Sequence, residues 1–212
     1  MNSSTRENPR HTQDGPAPDA TAPLKLVVIL SSNREGRFGP VIADWFLEHA
    51  ELHRDFQVSV VDLGEEDLPT ALTSNPPPSV AEYLGRTSPR LAAADAFVVI
   101  TPEYNHSFPA SIKSLIDWHF TEWRAKPVAF VSYGGLSGGL RAVEQLRLVF
   151  AELHAVAIRD TVSFHHAQDR FDGDGRPKDP AGSDAAAVSL LDQLAWWGHT
   201  LRDAKAARPY TG

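Results

Sequence analysis

Residues 101–106 read Thr-Pro-Glu-Tyr-Asn-His, placing a carboxylate, a phenol and a carboxamide side by side. Turn-making alone does not call for such a set. The run follows Ala96–Ile100, an unbroken apolar stretch with the character of a buried strand. It precedes Ile112, Leu115 and Ile116 at helical spacing, with Ser107 expected to cap that helix and Pro109 to sit in its first turn. The polar residues therefore fall at the carboxyl end of a buried strand, where open α/β sheets bind ligands.

Two further loops repeat this setting. Leu24–Leu30 reads as a strand and runs into Ser31-Ser32-Asn33-Arg34-Glu35-Gly36-Arg37-Phe38-Gly39, after which Val41, Ile42, Trp45 and Phe46 recur at helical spacing. Small and hydroxyl residues beside a helix start present free N–H groups to an anion. Arg34 and Arg37 add charge and forked donors, each charge-assisted bond being worth about 1.5–3 kcal/mol. A phosphate monoester fits; helix capping with two solvated arginines is an equal reading of this loop alone. The loop lacks the Gly-x-x-x-x-Gly-Lys of a triphosphate site, and the chain has no Gly-x-Gly-x-x-Gly. The third loop, Ser132-Tyr133-Gly134-Gly135-Leu136-Ser137-Gly138-Gly139, lies between a strand at Pro127–Val131 and a helix marked by Leu140, Val143, Leu146 and Phe150. Its glycines permit positive φ and close backbone approach.

The elements that must hold these loops alternate along the chain. Strands are expected at 24–30, 58–61, 96–100, 127–131 and 155–158. Helices are expected from about 41, over 80–93, 109–120 and 140–153, and over 183–207. Residues 64–79 and 165–182 read as loops. Strands apolar on both faces, with helices between them, imply a parallel sheet covered on both sides. Right-handed crossovers give a flavodoxin-like three-layer α/β/α sandwich with a five-stranded sheet of order 2-1-3-4-5. In that order the first, third and fourth strands are adjacent, so the three loops converge. A flat, polar-edged ring with a tethered phosphate fits the crevice, a description that suits FMN.

At this level the sequence resembles the NADPH-dependent FMN reductases, flavodoxin-like flavoproteins that include quinone, azo-dye and chromate reductases. The motifs are SS-x-R-x-x-R, TPEYN-x-S-x-P-x-x-x-K-x-x-I-D-W and SYGG-x-SGG-x-RA-x-x-QLR, and the likeness runs from about Leu24 to Ile158. The resemblance implies an FMN phosphate held by Ser32, Arg34, Arg37, Phe38 and Gly39. It implies an isoalloxazine surrounded by Pro102, Glu103, Tyr104 and Asn105, with Ser132, Tyr133, Gly134, Gly135 and Gly138 at the ring edge. It further implies NADPH as hydride donor, a small-molecule electron acceptor such as a quinone or flavin, and a homodimer or homotetramer. No protein acid or base is required, since the cofactor carries the chemistry. Tyr104 and His106 are expected to flank the acceptor. Ser31 departs from the family, in which Gly is common there, and residues beyond about 160 do not match its general pattern.

Composition narrows the alternatives. The chain has 212 residues, a formal charge of −7 and no cysteine. There is room for one α/β domain, expected over 24–212, and for no thiolate site. No basic block suggests nucleic acid. Residues 1–23 form a polar tail expected to be disordered, without the apolar segment of a secretory signal. No stretch approaches a membrane span, so a cytoplasmic location is the default. Two other functions fit the same fold class: a non-catalytic FMN carrier or redox sensor, and, more distantly, a hydrolase using Ser137 of Gly-x-Ser-x-Gly with Asp160 and His199. Trp196-Trp197 is expected to cap the core from the last helix. The pair His165-His166 and the Asp172-Gly173-Asp174-Gly175 run lack the partners a metal would need.

Overall fold

The computed structural model describes residues 22–65 and 68–211; the expected tail falls almost wholly outside them. Its strands are β1 (Leu24–Leu30), β2 (Phe56–Asp62), β3 (Ala96–Pro102), β4 (Pro127–Gly134) and β5 (Val156–His165). All pair in parallel, in the order β2-β1-β3-β4-β5. The helices are α1 (Gly39–Leu52), α2 (Pro78–Ala93), α3 (Ala110–Trp118), α4 (Leu140–Glu152), the single turn α5 (Ala167–Arg170) and α6 (Pro180–Ala207), with a 3-10 turn at Thr121–Trp123. This is the expected flavodoxin-like sandwich.

The pleat sorts the strand residues into two cores. Leu24, Leu26, Val28 and Leu30 join Ala96, Val98, Ile100, Ala129 and Val131 on the face covered by α1 and α6. Val27, Ile29, Phe97, Val99, Val128 and Phe130 face α2, α3 and α4. Apolar residues at every strand position thus serve both faces, as a doubly covered sheet requires. The registers Leu30↔Asp62, Leu30↔Ile100, Pro102↔Tyr133 and Tyr133↔Phe164 bring the carboxyl ends to one edge, from which the loops emerge together.

Several boundaries differ from expectation, each for a local reason. β5 runs on to His165 because Val162 and Phe164 alternate inward while Ser163 and His165 do not, the signature of an edge strand. An irregularity opposite Val128 and Phe130 takes up extra residues of β5, which hides that alternation behind Arg159-Asp160. β2 extends over Phe56–Asp62. Ser107 does not cap α3: Pro109 occupies the cap position, and the Ser107 hydroxyl donates to Gln145 at 2.6 Å. A helical turn stands at 167–170, where loop was expected. Trp123 is fully buried, whereas Trp196 is 60% exposed and only Trp197 packs on the core. The expected Trp pair cap is therefore half right: adjacent helix positions point about 100° apart.

Candidate functional site: a cleft at the carboxyl edge of the sheet

The three loops meet. A cleft of ≈ 480 Å³ is lined by Ser32, Arg34–Phe38, Pro102–Tyr104 and Tyr133–Gly135, and by His166–Asp169 from the turn after β5. That size is within the ~300–1,000 Å³ usual for cofactor and ligand sites.

At the end of β1 the two arginines behave differently. Arg37 turns its fork onto Asp62 at the end of β2: Nη2 donates to Oδ2 at 2.6 Å, Nη1 to Oδ1, and Nη1 also to the Ser32 carbonyl at 2.8 Å. The Asp62 bond raises the guanidinium pKa further. Burial alone would raise the Asp62 carboxyl, but the bonds from Arg37 and the Gly64 N–H more than offset this and hold it below the ordinary value. Arg34 is exposed and lies over the Tyr104 ring, 5.0 Å from its centroid, with no ion pair among the described residues. Arg34 therefore supplies the charge open to an anion, while Arg37 braces the loop that would hold one.

Two buried hydroxyls here lack partners among the described residues: Ser31 Oγ and Tyr133 Oη. Tyr133 lies close to Ser32, whose hydroxyl is bonded to Tyr104 Oη at 2.7 Å, yet Tyr133 Oη makes no hydrogen bond of normal geometry. Burial pushes the Tyr133 phenol well above its ordinary pKa, so it stays a donor. Its oxygen points to Gly39, the first residue of α1, where an added Cβ would come within 2.9 Å of it. Among the described residues no side chain caps α1. An uncapped helix start, an unpaired buried donor and an exposed guanidinium at one end of the cleft fit a phosphate group.

The second loop is pinned as a tight turn. Tyr104 and Ser107 exchange both backbone hydrogen bonds, at 2.8 and 3.0 Å, around Asn105 and His106, whose φ values are 50° and 74°. Two positive φ angles at the corner are the geometry of a type I′ turn, which Asn tolerates well. Both residues are exposed, and neither lines the cleft. The carboxamide is thus explained by the turn, and His106, expected beside the acceptor, stands outside the cleft lining. Glu103 is 9% exposed at its side chain; it accepts from Ser137 Oγ, from the Arg141 backbone N–H at 3.3 Å and from Arg141 Nη1 at 3.2 Å.

In the third loop Tyr133, Gly134 and Gly135 line the cleft, whereas Ser132 and Gly138 lie beneath it. Ser132 Oγ and Ser163 Oγ both donate to the Gly138 carbonyl, at 2.9 and 2.8 Å. Gly138 has φ +61°, and a Cβ there would overlap Ser163 and sit 2.6 Å from the His165 ring, so only glycine fits. The nucleophile elbow is not assembled. Ser137 bonds a carboxylate, while His199 contacts Arg202 and Asp55, and Asp160 contacts Arg159 and Ser189.

Of the fourteen residues expected from the resemblance, Ser32, Arg34, Arg37, Phe38, Pro102, Glu103, Tyr104, Tyr133, Gly134 and Gly135 line the cleft; Gly39, Asn105, Ser132 and Gly138 do not. His166–Asp169, Asp62 and Arg141 were missed. The alternation at Val162 and Phe164 would have moved the end of β5 to His165 and brought the following turn to the same edge.

The matching protein-family model, NADPH-dependent FMN reductase, covers residues 24–169. The chain belongs to this family. It is 35% identical over 140 residues to an NAD(P)H-dependent FMN reductase of Saccharomyces cerevisiae, covering 59% of this chain and 73% of that one. It is 30% identical over 159 residues to a 2-hydroxy-1,4-benzoquinone reductase of Burkholderia sp, covering 72% and 84%. An NAD(P)H-dependent FMN reductase of Schizosaccharomyces pombe is 35% identical, but the match spans 54% of this chain and only 60% of the yeast protein's length. Among solved structures, the flavoenzyme NAD(P)H:(acceptor) oxidoreductase FerB from Paracoccus denitrificans superposes with a TM-score of 0.66 at 23% identity, covering 84% of this chain and 98% of that one, a likeness of fold. The family match extends past Ile158 into the α5 turn, further than the motifs alone reach.

Proposed function

We propose that this FMN reductase family member is an NAD(P)H-dependent oxidoreductase that binds FMN in the cleft and passes reducing equivalents to a quinone, flavin or similar small acceptor. The observation that carries the reading is the end of the cleft at α1, where an uncapped helix start, Arg34 and the unpartnered Tyr133 hydroxyl converge. Ser32, Arg34 and Phe38 would hold the phosphate, with Gly39 behind them at the start of α1, Tyr133 donating from below and Arg37 fixing the loop through Asp62. Pro102, Glu103, Tyr104, Gly134 and Gly135 would border the ring. Asn105, Ser132 and Gly138 would shape those loops from behind. When bound, FMN supplies hydride acceptance and donation.

The chain's own part is positioning and electrostatics. The Tyr104–Ser32 bond ties the ring loop to the phosphate loop, and the Gly135 carbonyl is fixed by the His166 N–H at 2.9 Å. The His166–Asp169 turn forms the fourth wall, where a nicotinamide or acceptor would enter. One FMN-binding domain over 24–212, a homodimer or homotetramer and a cytoplasmic location belong to the same reading. Exposed Leu140 and Leu148 on α4 support assembly, and no described helix is long and apolar enough to cross a membrane.

The test is steady-state oxidation of NADPH and NADH by FMN-loaded protein with a benzoquinone as acceptor. Sustained turnover with the quinone is expected. A single stoichiometric reduction without turnover would identify an electron carrier or sensor instead.

A further inference from the structure

We infer that Glu103 sets the reduction potential of the bound flavin by occupying the start of α4; the inference rests on FMN binding in the cleft. The start of a helix carries roughly +0.5 of a charge. Left open, that end of α4 would stabilise the negative charge a reduced ring develops. It is not open. The Glu103 carboxylate, 9% exposed at its side chain, accepts from the backbone N–H of Arg141, the second residue of α4, at 3.3 Å and from Ser137 Oγ in the turn before it. Its backbone N–H donates to the Tyr133 carbonyl at 3.2 Å, which holds it on the cleft wall beside Gly134. Arg141 Nη1 reaches Glu103 Oε1 at 3.2 Å, but the Arg141 side chain is 45% exposed and its charge is shared with water.

The charge at this edge of the cleft is therefore a balance: a nearly buried carboxylate against a helix end and a half-solvated guanidinium. Hydride uptake from NAD(P)H, which leaves as NAD(P)⁺, adds one negative charge to the flavin. Glu103 opposes that charge, and Arg141 favours it. Glu103 acts here by its charge at the cleft wall and at the start of α4, not as an acid or base.

The experiment measures the two-electron midpoint potential and the affinities of oxidised and reduced FMN for the unaltered protein, Glu103→Gln and Arg141→Gln. Glutamine keeps the shape of Glu103 and an acceptor for Ser137. Glu103→Gln should tighten reduced relative to oxidised FMN by about tenfold, a rise of about 30 mV for a two-electron couple. Arg141→Gln should move the potential the opposite way. A residue that only braces the loops would weaken both redox states alike and leave the potential unmoved. That result, or shifts of the same sign in both variants, overturns the inference while FMN binding by the unaltered protein still stands. Failure of the unaltered protein to bind FMN overturns the inference and the functional reading together.

Discussion

Replacing Arg37 with alanine should cost stability, whereas replacing Arg34 should cost cofactor affinity. Arg37 makes three charge-assisted contacts, two to Asp62 and one to the Ser32 carbonyl, with side chains only 19% and 16% exposed for Arg37 and Asp62. An exposed ion pair is worth ~0–1 kcal/mol, and breaking a fully buried one costs ~3–5 kcal/mol. This pair lies between but nearer the buried limit, and the variant also leaves Asp62 without a counter-charge. We expect Arg37→Ala to lose about 2–4 kcal/mol. Arg37→Lys should recover only part of that, because an ammonium cannot reproduce the fork. Among the described residues the Arg34 guanidinium lies on the Tyr104 ring face and makes no ion pair. Arg34→Ala should stay within about 0.5 kcal/mol in stability but lose about 1.5–3 kcal/mol of FMN binding, roughly 10- to 150-fold. Urea denaturation of the cofactor-free protein measures the first quantity and quenching of FMN fluorescence the second. If Arg37→Ala is as stable as the parent while its FMN affinity collapses, Arg37 is a direct phosphate ligand and the sorting of the two arginines is wrong.

Other expectations follow from single residues. Tyr133→Phe removes the unpaired donor and should weaken FMN binding while leaving cofactor-free stability unchanged or slightly higher, since a buried unsatisfied hydroxyl is lost; equal affinity in titrations would remove Tyr133 from the phosphate site. Gly138→Ala forces a side chain into Ser163 and His165 at φ +61° and should cost more than ~1 kcal/mol in urea melts; an unaltered midpoint would show that the turn relaxes freely. Lys126 is 6% exposed, donates to the Leu91 and Ala92 carbonyls at 2.8 Å each, and is pushed down by burial to about 8. The folded state then binds fewer protons than the unfolded state between pH 8 and ~10.4, so stability rises with pH across that window. The parent should gain up to about 3 kcal/mol relative to Lys126→Met over it, and a pH-independent difference would contradict the depressed pKa.

Much of this architecture was legible in the sequence because doubly buried strands are nearly pure apolar runs. Leu24–Leu30 and Ala96–Ile100 announce themselves, and the short loops after them inherit their places from the sheet order. The edge strands were harder. β5 alternates because one face is less covered, and its irregularity near Ile158 breaks the pattern, so its second half and the α5 turn read as loop. The same limit applied within the site. Residue type marked Arg34 and Arg37 alike as phosphate donors, and only the parallel register that sets Asp62 beside Leu30 shows why one is committed elsewhere. Asn105 suggested ligand contact from its chemistry, yet its φ shows a corner of a turn. Partners distant in sequence, such as Glu103 and Arg141 on opposite sides of β4, carry no local signal.

The most direct check is the absorption spectrum of the purified protein, before and after titration with FMN. The account predicts flavin bands that shift on binding, one FMN per chain released on denaturation, and quenched FMN fluorescence on re-addition. A colourless protein that leaves the fluorescence of added FMN unchanged would contradict it.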